Sequence, residues 1–185
     1  MGADGELPDG AIYTVGHSTM PIEDFVALLR GYGIRRLVDI RTIPRSRHNP
    51  QFNGDELAMS LRDAGIDYTH LAGLGGLRHS RKDSPNTGWR NTSFRGYADY
   101  MQTTEFDDAL GELMRRAREE RTAIMCAEAV PWRCHRSLVA DALIVRDVPV
   151  VEIMSATKWR RHTLTSFARA EGTRLNYPPE DAESQ

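Results

Sequence analysis

Residues 126–136 crowd two thiols (Cys126, Cys134), one carboxylate (Glu128), one imidazole (His135), two guanidiniums (Arg133, Arg136) and the Trp132 indole into eleven positions. A thiol is reactive as its thiolate, and cationic neighbours or a helix start stabilise that form. Arg133, His135 and Arg136 supply the cations for Cys126 as nucleophile or sulfur carrier. Set against this, a cysteine closing a buried strand is commonly a small inert apolar residue. Glu128 is either a general acid/base or the ion-pair partner of Arg133 or Arg136. Cys134 reads as a packing residue at the helix start, and His135 and Arg136 as contacts to an anion or partner. The Cys126-x6-Arg133 spacing is one residue longer than the Cys-x5-Arg cradle of cysteine phosphatases. Rhodanese-like sulfurtransferases place a cysteine in a comparable loop, but Pro131-Trp132 inside this one counts against both identities.

Other groups with chemistry follow strands. His17 comes after Ala11–Val15, and Asp39 ends Arg36–Ile40 just before Arg41, Arg45 and Arg47. Arg95 and Tyr97 lie farther on. Interleaved arginines and aromatics, here with Phe52, Trp89, Phe94, Tyr97 and Trp132, suit phosphate contacts with base stacking. A solvated arginine surface is the plainer alternative. Cys126, Cys134, His135 and one further histidine could ligate zinc, yet no Cys-x2-Cys or His-x3-His pair supports it. A Cys126 thiolate could ligate haem iron, though no attachment motif is present. No cofactor is favoured. Gly73-x-Gly75-Gly76 lacks the following helix start of a phosphate loop, and close backbone approach accounts for it.

The elements that would position these residues alternate. Ala11–Val15, Arg36–Ile40, Ile66–Leu71, Ala123–Cys126 and Val148–Ile153 have strand character. Between them, Ile22, Phe25, Val26, Leu29 and Tyr32 mark one helix, and Leu57, Leu61 and Ala64 a second. Phe94–Met101 is a short third, and Phe106, Ala109, Leu110, Leu113, Met114 and Ala117 mark a long fourth. Leu138, Val139, Ala142 and Leu143 form the fifth, and residues 163–171 are expected to be helical. This order predicts a single three-layer α/β domain, a mostly parallel sheet of about five strands flanked by helices. Its loops after the strands would then gather His17, Asp39 with Arg41 and Arg45, the segment around Arg78, and Cys126 with Glu128 on one edge. Residues 72–93, irregular and rich in Gly, Arg and Lys, read as a functional loop or lid.

The domain is expected over 11–172, with a disordered acidic tail over 1–10 and a polar one over 173–185. A chain of 185 residues, 40% hydrophobic and 27% charged, suits one soluble domain. Two cysteines cannot build a disulfide framework, so a reducing cytoplasm is expected. No stretch is long and apolar enough for a membrane helix, and the first residues lack a signal-peptide pattern. The net charge of −2 conceals a basic stretch: residues 35–95 hold eleven Lys or Arg against six Asp or Glu. That imbalance favours an anionic partner, a nucleic acid or a phosphorylated small molecule.

Several ordered motifs resemble one family. They are Tyr13–Thr19 (YTVGHST), Val38–Arg41 with Pro44-Arg45-Ser46, Asn49–Phe52, Leu74–Gly76, Phe94–Ala98 and Cys126-x-Glu128-x5-Cys134-His135-Arg136. Together they resemble the group catalogued as domain of unknown function 488, along Tyr13 to about Leu164. The resemblance implies a bacterial or archaeal cytoplasmic protein and, for part of the group, a role in DNA repair or base excision. On that reading Glu128 or Asp39 does acid/base work, and Arg41, Arg45, Arg47, Arg95 and Arg133 hold phosphate. The leading expectation is therefore an enzyme acting on nucleic acid or a nucleotide-like phosphorylated substrate. Thiol chemistry at Cys126 is the runner-up, and a non-catalytic nucleic-acid or cofactor-binding module the third.

Overall fold

The computed structural model describes residues 5–180. Five strands are parallel: β1 (Ile12–Gly16), β2 (Arg36–Asp39), β3 (Asp67–His70), β4 (Thr122–Cys126) and β5 (Val150–Ile153). An antiparallel edge strand, β6 (Trp159–Arg161), completes a six-stranded sheet of order β3-β2-β4-β1-β5-β6. Apolar positions at helical spacing put α1 (Ile22–Gly31) and α2 (Gly54–Asp63) on one face, through Phe25, Leu28, Leu29, Leu57 and Leu61. The other face carries α3 (Thr92–Tyr100), α4 (Thr104–Glu119) and α5 (Arg136–Ile144), through Tyr97, Phe106, Leu110, Leu113, Leu138 and Leu143. The three layers and the parallel sheet agree with the sequence reading. Among the described residues no helix is long and apolar enough to cross a membrane.

Strand order decides where a site can form. The chain leaves β1 through α1 on one face and leaves the neighbouring β4 through α5 on the opposite face. Connections diverging from adjacent parallel strands open the crevice at which such sheets collect ligands. His17 and Cys126 stand at that point.

Three expectations need correction. Residues 163–171 are not helical: after a turn the chain enters β7 (Arg169–Glu171), which pairs antiparallel with β8 (Arg174–Asn176). The Thr165 N–H and hydroxyl are spent on Asp141, and Phe167 packs on Trp89 and Tyr177, so tertiary partners override the helical tendency. Nor is 173 the start of a polar tail, because Leu175 and Tyr177 are buried in the α3–α5 core. At the other end Leu7 packs on the α1–α2 core, so order begins before residue 11. The tail expectations over 1–4 and 181–185 lie outside the described residues.

The long segment before α3 is tied down. Asp99, on α3, accepts from the Arg81 N–H, the Ser84 hydroxyl and the Asn86 amide. Fully buried Asn86 accepts in turn from the Tyr177 N–H. A lid would have to break this buried chain of bonds, so the segment is scaffold.

Candidate functional site

The β4–α5 loop is pinned to the end of β1. The His17 and Ser18 N–H groups donate to the Cys126 and Ala127 carbonyls, each at 3.0 Å. Gly16 permits this approach: a Cβ there would lie 1.9 Å from the Glu128 carbonyl oxygen. Ser18 turns the chain away with φ of 48°, left-handed and uncommon outside glycine.

Inside the loop the organising group is Arg136, fully buried at the first position of α5. Its Nη1 donates to Cys126 Sγ at 3.0 Å and to the Glu128 carbonyl at 2.6 Å, and its Nη2 to the Ala129 carbonyl at 3.1 Å. The loop thus turns carbonyl oxygens inward onto a guanidinium. A phosphatase-type cradle turns N–H groups inward onto an anion, so the polarity of this loop is the reverse.

Cys134 completes the thiol environment. Both cysteines are free and buried, and Cys134 Sγ lies 2.7 Å from Cys126 Sγ, its thiol donating. Burial alone would push the Cys126 thiol up. The Cys134 donor and the Arg136 charge outweigh that and hold it below the ordinary thiol range. Cys134 is pushed far up by the same bond, by burial and by the charge on Cys126. Two adjacent thiols are thereby split into one that ionises readily and one that keeps its proton.

His135 borders the pair. Its Nε2–H donates to the Ile40 carbonyl at 3.0 Å, leaving Nδ1 as an acceptor 3.5 Å from Cys134 Sγ. Burial lowers its pKa. Tyr97 packs beside the ring and donates to the Leu74 carbonyl, and Gly76 lies against its other side, where a Cβ would meet Nδ1 at 3.2 Å.

The candidates from the β2 loop are placed differently. Asp39 is wholly buried and holds Arg41 through Nε at 2.9 Å and Nη2 at 2.7 Å, while accepting from the Tyr68 hydroxyl at 2.6 Å. Arg41 also donates to the Phe52 carbonyl and approaches His17 Nε2 at 3.4 Å. His17 stacks on Phe52, gives its Nδ1–H to the Ser18 carbonyl, and has its pKa lowered by burial. These groups saturate one another and brace the β1 and β2 ends. Asp39 has no exposed surface and Arg41 has little left for a phosphate. Arg95 is likewise engaged, on the Trp89 carbonyl.

His17, Arg41, Cys126, Cys134 and Arg136 therefore share one sheet edge, buried, with His135 half-buried beside them. Glu128, Arg133, Trp132, Arg45 and Arg47 are exposed around it. Among the described residues the Glu128 carboxylate accepts only from the Val130 N–H. Trp132 is 55% exposed with the Arg160 guanidinium 4.9 Å from its ring. For a metal, no group of three or more His, Cys, Asp or Glu is suitably placed among the described residues. For haem, Cys126 Sγ is enclosed by Arg136, Cys134 and the Glu128 carbonyl, which leaves no face for a macrocycle. The residues present fit neither group.

A second buried cluster was missed in the sequence. His162 bridges Glu152 Oε1 at 2.8 Å and Asp141 Oδ1 at 2.7 Å. Arg160 pairs with Glu152, and Thr165 and Tyr177 donate to Asp141. Burial would lower the pKa of His162, but the two carboxylates raise it to about 9, so the ring is cationic at neutral pH. Its sequence signal was a carboxylate inside the otherwise apolar strand Val150-Val151-Glu152-Ile153. The cluster stitches β5 and β6 to α5 and the C-terminal segment.

Neither the comparison with curated proteins nor that with solved structures found a match. The family model described as Domain of unknown function DUF488 matches residues 21–143. That span takes in Asp39, Arg41 and the whole Cys126–Arg136 loop, and leaves out the Tyr13–Thr19 motif and the Glu152–His162 pair. About two thirds of the chain is matched, and the chain belongs to this family, the one its motifs resembled.

Proposed function

We propose that this protein is a thiol-dependent enzyme in which Cys126 acts as a thiolate nucleophile, held in a reducing cytoplasm that keeps both cysteines free. The observation that carries the reading is the fully buried Arg136, whose Nη1 lies 3.0 Å from Cys126 Sγ while the Cys134 thiol donates to the same sulfur. Burying a guanidinium is costly unless a counter-charge and acceptors meet it. Two loop carbonyls supply acceptors, and a Cys126 thiolate supplies the charge. Inward carbonyls leave no N–H cradle for a tetrahedral anion, so the reading favours attack on a small electrophile over phosphoryl transfer. Competitive alkylation at neutral pH tests it: iodoacetamide should modify Cys126 well ahead of Cys134. Equal labelling, or Cys134 first, would refute the assignment.

Action on nucleic acid, the leading expectation from the sequence, becomes the second reading, supported by the exposed rim. Arg45, Arg47 and Arg133 have no ion-pair partner among the described residues, and Trp132 is exposed beside Arg160. Glu128 is the carboxylate left for acid/base work in a base excision, since Asp39 is consumed by Arg41 and Tyr68. Binding of single-stranded oligonucleotides at low salt, weakening steeply as salt rises and reduced by Arg45→Ala with Arg47→Ala, would support it. Absence of binding at low salt would remove it.

A further inference from the structure

Three features of the Cys126 site are not used by a simple nucleophile. The first is the second thiol, 2.7 Å from the first, when a disulfide bond spans about 2.04 Å. A movement of roughly 0.7 Å would join the sulfurs. The second is the division of proton affinity between them, one thiol lowered and the other raised. The third is Arg136 Nε, a buried donor without an acceptor among the described residues, on a guanidinium that already touches Cys126. An orphaned donor of this kind is rare, and beside a thiolate it suits a small oxygen acceptor.

We propose that Cys126 and Cys134 are a two-electron redox couple: the chain reduces a hydroperoxide small enough to enter this buried site and is left with a Cys126–Cys134 disulfide. The proposal rests on the reading of Cys126 as a thiolate nucleophile. Cys126 sulfur attacks the terminal, hydrogen-bearing oxygen of the peroxide. The O–O bond breaks, Cys126 becomes the sulfenic acid, and the departing alkoxide or hydroxide takes up a proton and leaves as alcohol or water. Cys134 sulfur then attacks the Cys126 sulfur. The S–S bond forms, and the sulfenic hydroxyl leaves as water with the proton of Cys134, for which His135 Nδ1 at 3.5 Å is an acceptor in place. Two thiols and one hydroperoxide thus give one disulfide, one alcohol and one water. External thiols restore the pair by exchange.

The size limit on the oxidant follows from burial. Cys126 is 2% and Cys134 7% exposed. A protein or bulky disulfide cannot reach sulfur so enclosed without unfolding the loop, whereas hydrogen peroxide is little larger than water. Arg136 is a positioning residue here: its Nη1 donates to the attacking sulfur.

The test uses the full chain, reduced and then titrated with hydrogen peroxide, with intact mass and free thiols read after denaturation. The expected result is parallel loss of both thiols with a mass decrease of about 2 Da, reversed by dithiothreitol. In Cys134→Ser, dimedone present during denaturation should trap a sulfenic acid formed on Cys126. In Cys126→Ser, Cys134 should stay reduced at the same peroxide. The wild-type titration stands by itself if either variant misfolds. Survival of both thiols, or Cys126 sulfinic acid beside a reduced Cys134, would overturn the redox couple. If Cys126 still reacts with iodoacetamide at neutral pH, that failure leaves the thiolate reading intact; if it does not, both fall.

Discussion

His162 should make the fold's stability depend on pH in a direction fixed by its partners. The ring sits between Asp141 of α5 and Glu152 of β5, with Arg160 of β6 on Glu152 and Tyr177 on Asp141. Carrying a histidine from 6.5 to about 9 means that the folded chain binds its proton more tightly than the unfolded chain. At about 1.4 kcal/mol per tenfold, that is about 3 kcal/mol of folding stability. The sign follows from a raised pKa: the contribution is complete below pH 6.5 and is lost as pH rises through about 9. His162→Gln keeps hydrogen-bonding capacity and removes the titration. Urea denaturation of both chains should show a gap of about 3 kcal/mol near pH 6, equivalent to about 6–12 °C in Tm for a chain of this size. The gap should narrow steadily toward pH 9.5, while other titrating groups, common to both chains, cancel. A gap that stays constant with pH would refute the reasoning, since packing alone would then explain the loss.

Removing the charge of Asp39 with Asp39→Asn should strand the buried Arg41 and cost about 3–5 kcal/mol in urea, whereas exposed Glu128→Gln should stay within about 0.5 kcal/mol. Similar costs for the two would contradict the assignment of Asp39 to the scaffold. Gly16→Ala forces a Cβ onto the Glu128 carbonyl, so it should lower Tm and speed alkylation of Cys126 by loosening its loop; an unchanged Tm would mean that the loop yields freely. Ending the chain at residue 172 exposes the pocket of Leu175 and Tyr177, with an expected loss on the order of 5 kcal/mol. Unchanged cooperative unfolding of that shortened chain would show the segment to be dispensable.

The sheet and its five helices were legible because buried parallel strands and amphipathic helices leave strong periodic marks, as in Thr122–Cys126 and in the Phe106–Leu113 stripe of α4. Residues 163–171 misled because their structure depends on partners distant in sequence, Asp141 above all. The gathering of His17, Arg41 and Cys126 on one edge was readable from topology. Their burial was not, because periodicity cannot tell a loop that opens to solvent from one that folds inward. Arg136 is the sharpest case. An arginine at a helix start reads as an anion contact, yet here the loop's own carbonyls and a cysteine sulfur consume it. The role of Cys134 hid for a related reason: seven intervening residues say nothing about whether two thiols meet.

The ionisation of Cys126 decides its chemistry, and the most direct measurement is the pH dependence of its alkylation, read by peptide mass after iodoacetamide pulses across pH 5–10 with the ordinary thiol range near 8.5 as reference. Cys134, the Cys134→Ser chain and unfolded chain serve as internal comparisons. The Cys126 rate should reach its plateau at clearly lower pH than in unfolded chain, with Cys134 unlabelled throughout, because the Cys134 thiol and the Arg136 guanidinium stabilise the Cys126 thiolate against burial. In Cys134→Ser the midpoint should rise only part of the way, since Arg136 remains. A Cys126 midpoint at or above that of unfolded chain would mean that burial wins over Arg136 and Cys134, and would contradict the thiol reading at its root.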